Sequence, residues 1–220
     1  MSDREMGLAD EIVAERLATV RGAIDATGRS NVEIIAVTKG FDRSAIECAQ
    51  RIGLTHIGEN YAQEVEEKID AVDESTSVHF IGRIQRNKVR KIVDHVDLWH
   101  SVSRPEILVE LAKRADSPQV LLQLRAENDE TKDGIRPEEL DSMLEVAENH
   151  GVNVRGLMTI GLLGDAAATQ RCFVELDRVA EQFGLAERSM GMSGDYLDAL
   201  AAGATMLRLG SILFGDRPAR

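Results

Sequence analysis

Short apolar runs alternate along the chain with longer stretches in which apolar side chains recur every three or four residues. The first run spans residues 32–38, and four of its seven residues are Val or Ile, as in a strand that is buried on both faces. An earlier stretch, containing Leu8, Ile12, Leu17, Val20 and Ile24, has the spacing of an amphipathic helix. This alternation predicts strand–helix units around a parallel sheet.

The complete pattern predicts an initial helix that ends near Gly28, followed by eight strand–helix units. The predicted strands are residues 32–38, 55–58, 78–81, 97–102, 119–124, 152–158, 188–190 and 205–209. Eight units without a linker or a shift in composition favour an α/β fold, a (β/α)8 TIM-like barrel forming one domain over residues 1–220. A doubly wound open sheet is the alternative, but the Gly-x-Gly-x-x-Gly fingerprint does not follow the first strand.

Two helix starts carry recognisable capping signals. Asp42 is predicted to cap the helix that follows the first strand. Ser103 and Glu106 form a predicted capping box for a later helix, with Pro105 in its first turn.

Composition narrows the possible partners and compartment. The net charge of −12 argues against nucleic acid or an anionic membrane as the main partner, since both select basic surfaces. No stretch approaches about 18 consecutive apolar residues, and the first residues lack the apolar segment of a signal peptide. Cys48 and Cys172 show no metal or redox spacing, so we expect buried free thiols. These features predict a cytoplasmic protein, and the acidic surface favours a monomer.

Lys39 closes the first predicted strand, where an ammonium group is costly unless it is paired or its pKa is lowered. A lysine with a lowered pKa is a nucleophile toward aldehydes, including that of pyridoxal phosphate (PLP). Taken alone, Lys39 fits a structural ion pair better. The remaining candidate residues reverse that preference.

Small and hydroxylated residues follow the last two predicted strands, where barrels often bind phosphate. Ser193 lies in the segment 191–194, and Gly210 with Ser211 follows the eighth strand. Ordinary helix caps would explain either segment alone, but their occurrence together favours phosphate. Arg208 precedes the second segment and could form a structural pair or contact the ring nitrogen of PLP, which would weaken the ring as an electron sink.

The five histidines do not form a metal set, and no Gly-x-Ser-x-Gly elbow supports a Ser-His-Asp triad. His79 lies in a predicted strand and could point into the barrel mouth. The other four, His56, His95, His100 and His150, are interpreted as core or surface residues.

Six segments, taken in order, resemble the pyridoxal phosphate homeostasis family (the YggS/PROSC proteins) over nearly the whole chain. They are Ala36-Val37-Thr38-Lys39, Gly58-Glu59-Asn60-Tyr61 with Gln63-Glu64, His79-Phe80-Ile81-Gly82 with Gln85, Asn87 and Lys88, Gly156-Leu157-Met158, Ser189-Met190-Gly191-Met192-Ser193, and Arg208-Leu209-Gly210-Ser211 with Phe214-Gly215. Gly40-Phe41 departs from the Thr-x-Pro common after the family lysine.

The resemblance implies a barrel like the N-terminal domain of bacterial alanine racemase, with PLP bound as an aldimine on Lys39. It places Asn60 beside the cofactor ring and Arg208 near the ring nitrogen. The remaining expected cofactor-binding residues are His79, Met192, Ser193, Gly210 and Ser211. Lys132 matches a second family lysine that receives cofactor in transit. The implied function is to buffer PLP or deliver it to apo-enzymes, and no catalytic residue is assigned.

A low-activity PLP-dependent amino-acid racemase is the alternative. Racemisation needs a proton donor–acceptor on each face of the substrate, and a second domain supplies part of that machinery in the racemases. Few residues follow Phe214, and the two tyrosines, Tyr61 and Tyr196, lie at predicted helix starts. We therefore prefer the carrier to the racemase. A barrel enzyme for another phosphorylated ligand is a third hypothesis.

Overall fold

The computed structural model describes residues 8–29, 31–126 and 133–217. Within these ranges, eight parallel strands pair in chain order, and the last strand pairs with the first to close a barrel. The strands are β1 Glu33–Val37, β2 His56–Glu59, β3 Ser77–Phe80, β4 Leu98–Val102, β5 Gln119–Gln123, β6 Asn153–Met158, β7 Glu187–Ser189 and β8 Met206–Leu209. The predicted (β/α)8 barrel is confirmed.

Helices surround the barrel and cover its outer face. They are α1 Leu8–Ala26, α2 Arg43–Arg51, α3 Ala62–Lys68, α4 Arg86–Ile92, α5 Pro105–Ala112, α6 Leu140–Asn149, α7 Ala166–Gln182, α8 Tyr196–Ala201 and α9 Ser211–Phe214. The extra N-terminal helix is α1, and Gly28 follows its end in a left-handed conformation with φ of 73°.

The core has an inner and an outer layer because successive side chains of a strand point to opposite faces. Five apolar side chains fill the lumen: Ile35, Leu98, Leu121, Met158 and Met206. A larger cluster lies between the strands and the helices and includes Trp99 and Phe173, both fully buried.

The same alternation determines which polar residues reach the lumen. Ile35 is an inner residue, so Lys39, four positions later, lies on the same face just beyond the end of β1. Met206 likewise places Arg208 inward on β8. Gly58 on β2 also faces inward, since a Cβ there would meet Ile35 Cγ2. Asn60, two positions later, therefore lies with Lys39 at the mouth formed by the carboxyl ends of the strands.

Of the two predicted capping signals, one is wrong and one is confirmed. The capping box of Ser103 and Glu106 does not form, because Arg104 is the N-cap of α5 and makes no side-chain capping bond. Arg104 instead donates a hydrogen bond from Nη2 to the Ile84 carbonyl oxygen at 3.0 Å, which ties this helix start to the preceding loop. Asp42 caps α2 as predicted and accepts from the Ser44 N–H at 2.9 Å.

The buried face of α1 also differs from the expected one. Ile12 is 43% exposed, and Val13 takes its place beside Leu17 in the core. The residues Val13, Leu17, Val20 and Ile24 are separated by four, three and four positions, which keeps them on one helical face.

Gly156 and Gly22 give a matched pair of stability predictions. A Cβ on Gly156 would lie 2.0 Å from the backbone oxygen of Glu187 on β7, so we expect Gly156→Ala to lower the free energy of unfolding by about 2 kcal/mol or more. Gly22 lies within α1 with nothing within 4 Å of its Cβ position, so Gly22→Ala should raise that free energy by about 0.5–1 kcal/mol. Urea unfolding measures both, and equal effects would contradict the described strand contact.

Candidate functional site

The backbone on both sides of Lys39 is held by hydrogen bonds. The Thr38 N–H donates to the Gly58 carbonyl at 3.1 Å, and Lys68 Nζ donates to the Thr38 carbonyl at 2.9 Å. On the other side, the Gly40 N–H donates to Glu64 Oε2 at 2.8 Å. Lys39 therefore projects from a backbone segment that is fixed to β2 and α3.

Glu59, Glu64 and Lys68, here called the Lys68 cluster, form the ionic network behind this segment. Lys68 Nζ lies 2.9 Å from Glu59 Oε1 and 2.7 Å from Glu64 Oε2. The Glu59 and Lys68 side chains are only 1% and 7% exposed, so their desolvation is costly and requires close pairing. Two carboxyl groups therefore share one ammonium beside Lys39.

Sequence reasoning missed the Lys68 cluster. Its one readable signal is the separation of four residues between Glu64 and Lys68 on α3, which allows an ion pair along a helix. Glu59 joins the cluster from the end of β2, a contact that no local spacing indicates.

The two carboxylates of the cluster differ in their pKa. Burial raises the pKa of Glu59 to about 7, although hydrogen bonds from Thr38 and Lys68 act in the opposite direction. Its Oε2 atom is buried without a hydrogen-bond partner among the described residues. Burial also acts to raise the pKa of Glu64, but hydrogen bonds from Lys68 and the Gly40 N–H outweigh it and lower the pKa.

The surroundings of Lys39 lower the pKa of its amine. Burial has the largest effect, and the positive charges of Arg217 and Arg208 add to it, whereas Glu59 and Glu64 oppose it. A lowered pKa increases the fraction of neutral amine at neutral pH, which is the nucleophilic form.

Arg208 is a buried cation whose bonded partners are neutral. It is 4% exposed, and its guanidinium donates from Nη1 to Ser189 Oγ at 2.7 Å and from Nη2 to the Thr159 carbonyl at 2.8 Å. None of the ion pairs described for residues 8–29, 31–126 and 133–217 includes Arg208. Burial lowers its pKa to about 10, partly opposed by Asp195, so the group stays charged at neutral pH.

His79 is buried in the barrel lumen, and its contact with a cofactor stays a prediction. It is 3% exposed, and its Nε2 and Nδ1 atoms lie 3.0 Å from His56 Nδ1 and 2.8 Å from His100 Nε2. Both ring nitrogens are therefore engaged inside the lumen. His56 and His100, interpreted from the sequence only as core or surface residues, belong to the same set of contacts.

Asn60 lies just beyond β2 at the mouth. Its Oδ1 atom is buried and lacks a hydrogen-bond partner in the described part of the chain. Asn60 borders a cavity of about 260 Å³ together with Ser101 and Gln123, and an ion pair of 2.9 Å between Arg83 and Asp133 closes one side. Since buried polar atoms in folded proteins are nearly always paired, this orphaned oxygen indicates that a ligand completes the site.

The two predicted phosphate segments are physically joined. Ser193 Oγ accepts a hydrogen bond from the Ile212 N–H at 3.1 Å, which connects the loop after β7 to α9. A Cβ on Gly210 would lie 3.3 Å from the Val37 carbonyl oxygen, so this segment also runs close to β1. Ser211 opens α9. The segments and Lys39 therefore share the carboxyl end of the barrel.

Met192 occupies the outer side of this region. It is 37% exposed and lines a cavity of about 610 Å³ together with Ile160 and Leu163. Its backbone N–H donates to Asp195 Oδ1. The structure thus brings Lys39, Asn60, Arg208 and both glycine–serine segments to one mouth, with Met192 at its rim, whereas Lys132 lies outside the described residues.

Within the described ranges, no three His, Cys, Asp or Glu side chains are grouped as a metal ion would require. None of the helices in the same ranges is both long and apolar enough to span a bilayer.

Comparison with known proteins agrees with the fold and with the sequence motifs. Residues 13–218 match the family model of the alanine racemase N-terminal domain. The pyridoxal phosphate homeostasis protein of Synechocystis sp. is 42% identical over 215 residues, covering 90% of this chain and 98% of that protein.

Solved structures show the same similarity in three dimensions. PipY of Synechococcus elongatus PCC7942, solved with PLP bound, gives a TM-score of 0.83 at 36% identity and covers 92% of this chain and 100% of its own. Alanine racemase from Corynebacterium glutamicum gives a TM-score of 0.74 at 16% identity and covers 96% of this chain and 62% of its own. The racemase comparison shows a shared fold.

The raised pKa of Glu59 predicts a pH dependence of stability. Its folded-state pKa of about 7 exceeds the ordinary value of 4.5, so the folded protein binds the proton more tightly and stability falls as pH rises through that window. Glu59→Gln should remove this contribution. The free energy of unfolding of Glu59→Gln minus that of the wild type should therefore rise by on the order of 2 kcal/mol between about pH 5 and pH 7.5.

Glu110→Gln is the control for this measurement. Hydrogen bonds from Arg114 and Arg86 lower the pKa of Glu110. The ionised Glu110 therefore makes its full contribution to stability above its ordinary pKa, and that contribution is constant between about pH 5 and pH 7.5. Urea unfolding at several pH values measures both differences. A flat difference for Glu59→Gln would contradict the raised pKa.

Proposed function

The chain belongs to the pyridoxal phosphate homeostasis family, and we propose that it binds PLP through Lys39 and buffers the cofactor or delivers it to other proteins. The observation that carries this proposal is the pairing at one barrel mouth of an amine with a lowered pKa, Lys39, and a buried charged guanidinium, Arg208. Family membership and the PLP-bound PipY structure support the choice of cofactor.

The residues at the mouth fit the chemical groups of PLP. Lys39 supplies an amine for the aldehyde, and Arg208 supplies N–H donors for the ring nitrogen. Ser193, Gly210 and Ser211 offer hydroxyl and backbone groups for the phosphate, as the sequence predicts. The orphaned Asn60 side-chain oxygen gives an independent sign that a polar ligand belongs here.

Arg208 determines which chemistry the site favours. Bound PLP supplies an electrophilic aldehyde and a ring that can withdraw electrons from an attached group. Arg208 stays protonated at neutral pH and has only N–H donors to offer, so it favours an unprotonated ring nitrogen and weakens electron withdrawal. This arrangement suits storage of the cofactor better than turnover.

The Lys68 cluster acts on the protonation of Lys39. Burial and the nearby arginines favour the neutral amine, whereas Glu59 and Glu64 favour the ammonium. The two carboxyl groups therefore oppose the lowering of the Lys39 pKa without reversing it. A carrier needs the neutral amine in order to capture an aldehyde.

The racemase alternative gains no support from the tyrosines. Tyr61 is 51% exposed at the N-cap of α3, and Tyr196 packs against the outer hydrophobic core. We infer that the chain is a carrier or regulator without a firm catalytic residue.

Partners and compartment follow from the same function. The proposed recipients are apo forms of PLP-dependent enzymes, which a monomeric carrier in the cytoplasm would reach by diffusion. Cys48 and Cys172 are both buried and form no disulfide within the described residues, a state that suits a reducing compartment. Lys132 stays a predicted transit site.

Trapping with borohydride tests the attachment point. Purified protein incubated with PLP should show a new visible absorption band, and borohydride reduction should fix the cofactor on the peptide that contains Lys39. Lys39→Ala should lose the modified Lys39 peptide and most of the band, because an alanine side chain offers no amine to the aldehyde. Lys113→Ala removes an exposed lysine at the end of α5 and should behave as wild type. Equal labelling of wild type and Lys39→Ala would overturn the proposed anchor.

The same loaded protein separates the carrier from the racemase. When it is mixed with an apo PLP-dependent enzyme, we expect recovery of that enzyme's activity and loss of the carrier's absorption band. Incubation with L-alanine should leave its optical rotation unchanged. Racemisation that disappears in Lys39→Ala would instead establish the enzyme.

A further inference from the structure

Five side chains form one hydrogen-bonded series across the barrel lumen, here called the histidine chain: His56, His79, His100, Ser189 and Arg208. The three links from His56 to Ser189 measure 3.0, 2.8 and 2.9 Å, and the link from Ser189 to Arg208 measures 2.7 Å. The series connects β2, β3, β4, β7 and β8. Four members are buried, and only His56, at the amino end of β2, is partly exposed.

The two inner imidazoles are neutral at physiological pH. Burial lowers the pKa of His79 to about 3, and it lowers the pKa of His100 well below the ordinary value. After burial, His56 and Arg155 further lower the pKa of His79, and His79 and Arg208 further lower the pKa of His100. Each neutral imidazole then has one N–H donor and one acceptor nitrogen.

The available donors and acceptors allow only one direction of hydrogen bonding along the histidine chain. Arg208 can only donate, so Ser189 Oγ accepts from it. The one remaining described partner of Ser189 Oγ is His100 Nδ1. If that nitrogen carried the proton, the fully buried Ser189 hydroxyl would have no acceptor, which folded proteins avoid. Ser189 therefore donates to His100 Nδ1.

The tautomers of all three rings follow from this first step. His100 has its proton on Nε2 and donates to His79 Nδ1. His79 likewise donates from Nε2 to His56 Nδ1. Every acceptor end therefore points toward Arg208 and every donor end points away from it, so the aligned dipoles stabilise the guanidinium charge without a carboxylate.

We propose that the histidine chain is a positioning device for Arg208, in which Ser189 and His100 orient the guanidinium and His79 and His56 fix their protonation. A carboxylate partner would neutralise Arg208, whereas this neutral series leaves its charge available to a ligand. The orientation is a property of the free protein, and its effect on PLP affinity rests on the proposed function.

His56 gives the chain an end remote from Lys39. It borders a cavity of about 380 Å³ on the α1 side, together with Glu33 and Arg21. Lys39 lies beyond the carboxyl end of β1, whereas His56 opens β2 at its amino end. A substitution at His56 should therefore alter Arg208 without touching the mouth.

Nitrogen NMR of the PLP-free protein tests the direction of hydrogen bonding along the histidine chain. With ¹⁵N-labelled imidazoles at neutral pH, His79 and His100 should both be protonated on Nε2 alone. His150 is an internal reference of opposite type, because its Nδ1 faces the Val146 carbonyl at 2.9 Å and must donate to it. A proton on Nδ1 of His79 or His100 would overturn the assignment.

Variants test the positioning role. Ser189→Ala and His100→Leu should each weaken PLP affinity about tenfold, as expected for loss of one charge-assisted contact, and should shift the absorption maximum of the bound cofactor. His100→Gln should restore most of the affinity, since its amide offers an acceptor and a donor. His56→Leu should show a smaller loss, and the exposed His150→Gln should show none.

A second readout keeps this test independent of the cofactor. In PLP-free wild type, the guanidinium protons of Arg208 should be separately resolved because rotation is restrained, and they should average in Ser189→Ala. Unchanged Arg208 signals and unchanged affinity in folded Ser189→Ala and His100→Leu would overturn the positioning role. Failure of wild type to bind PLP would defeat the proposed function, while the NMR results would still decide the histidine chain.

Discussion

Two cationic side chains face one end of a closed barrel, and the site depends on how the protein tolerates them. Lys39 and Arg208 are close enough that the charge of Arg208 lowers the pKa of Lys39. Neither takes part in an ion pair described for residues 8–29, 31–126 and 133–217. Two desolvated like charges are unfavourable without compensation, so such a mouth has a built-in preference for an anionic ligand.

The protein supports these two cations in different ways. Behind Lys39 stands the Lys68 cluster, whose two carboxyl groups share one ammonium and whose hydrogen bonds fix the flanking backbone. Behind Arg208 stands the neutral histidine chain. The first arrangement opposes the lowering of the Lys39 pKa, and the second, as we propose, orients Arg208 without neutralising it. A carrier of a reactive aldehyde needs a nucleophilic amine and an orienting cation.

The fold and the ends of the strands could be predicted because they follow from local pattern. The alternation of strand and helix patterns identified all eight strands, with Lys39 at the end of the first and Arg208 within the last. The contacts behind them could not be predicted in the same way. His100 and Ser189 are 89 positions apart, and they meet only because the barrel closes. The failed capping box at Ser103 shows a similar limit, since a contact of Arg104 with the Ile84 carbonyl determines where α5 begins.

A crystal structure of the protein grown with PLP tests the central claim most directly. The account predicts continuous electron density from Lys39 Nζ to the cofactor, with the ring nitrogen within hydrogen-bond distance of Arg208 and the phosphate against Ser193, Gly210 and Ser211. Attachment to a different lysine, or a phosphate placed elsewhere with Arg208 unoccupied by the ring, would contradict it.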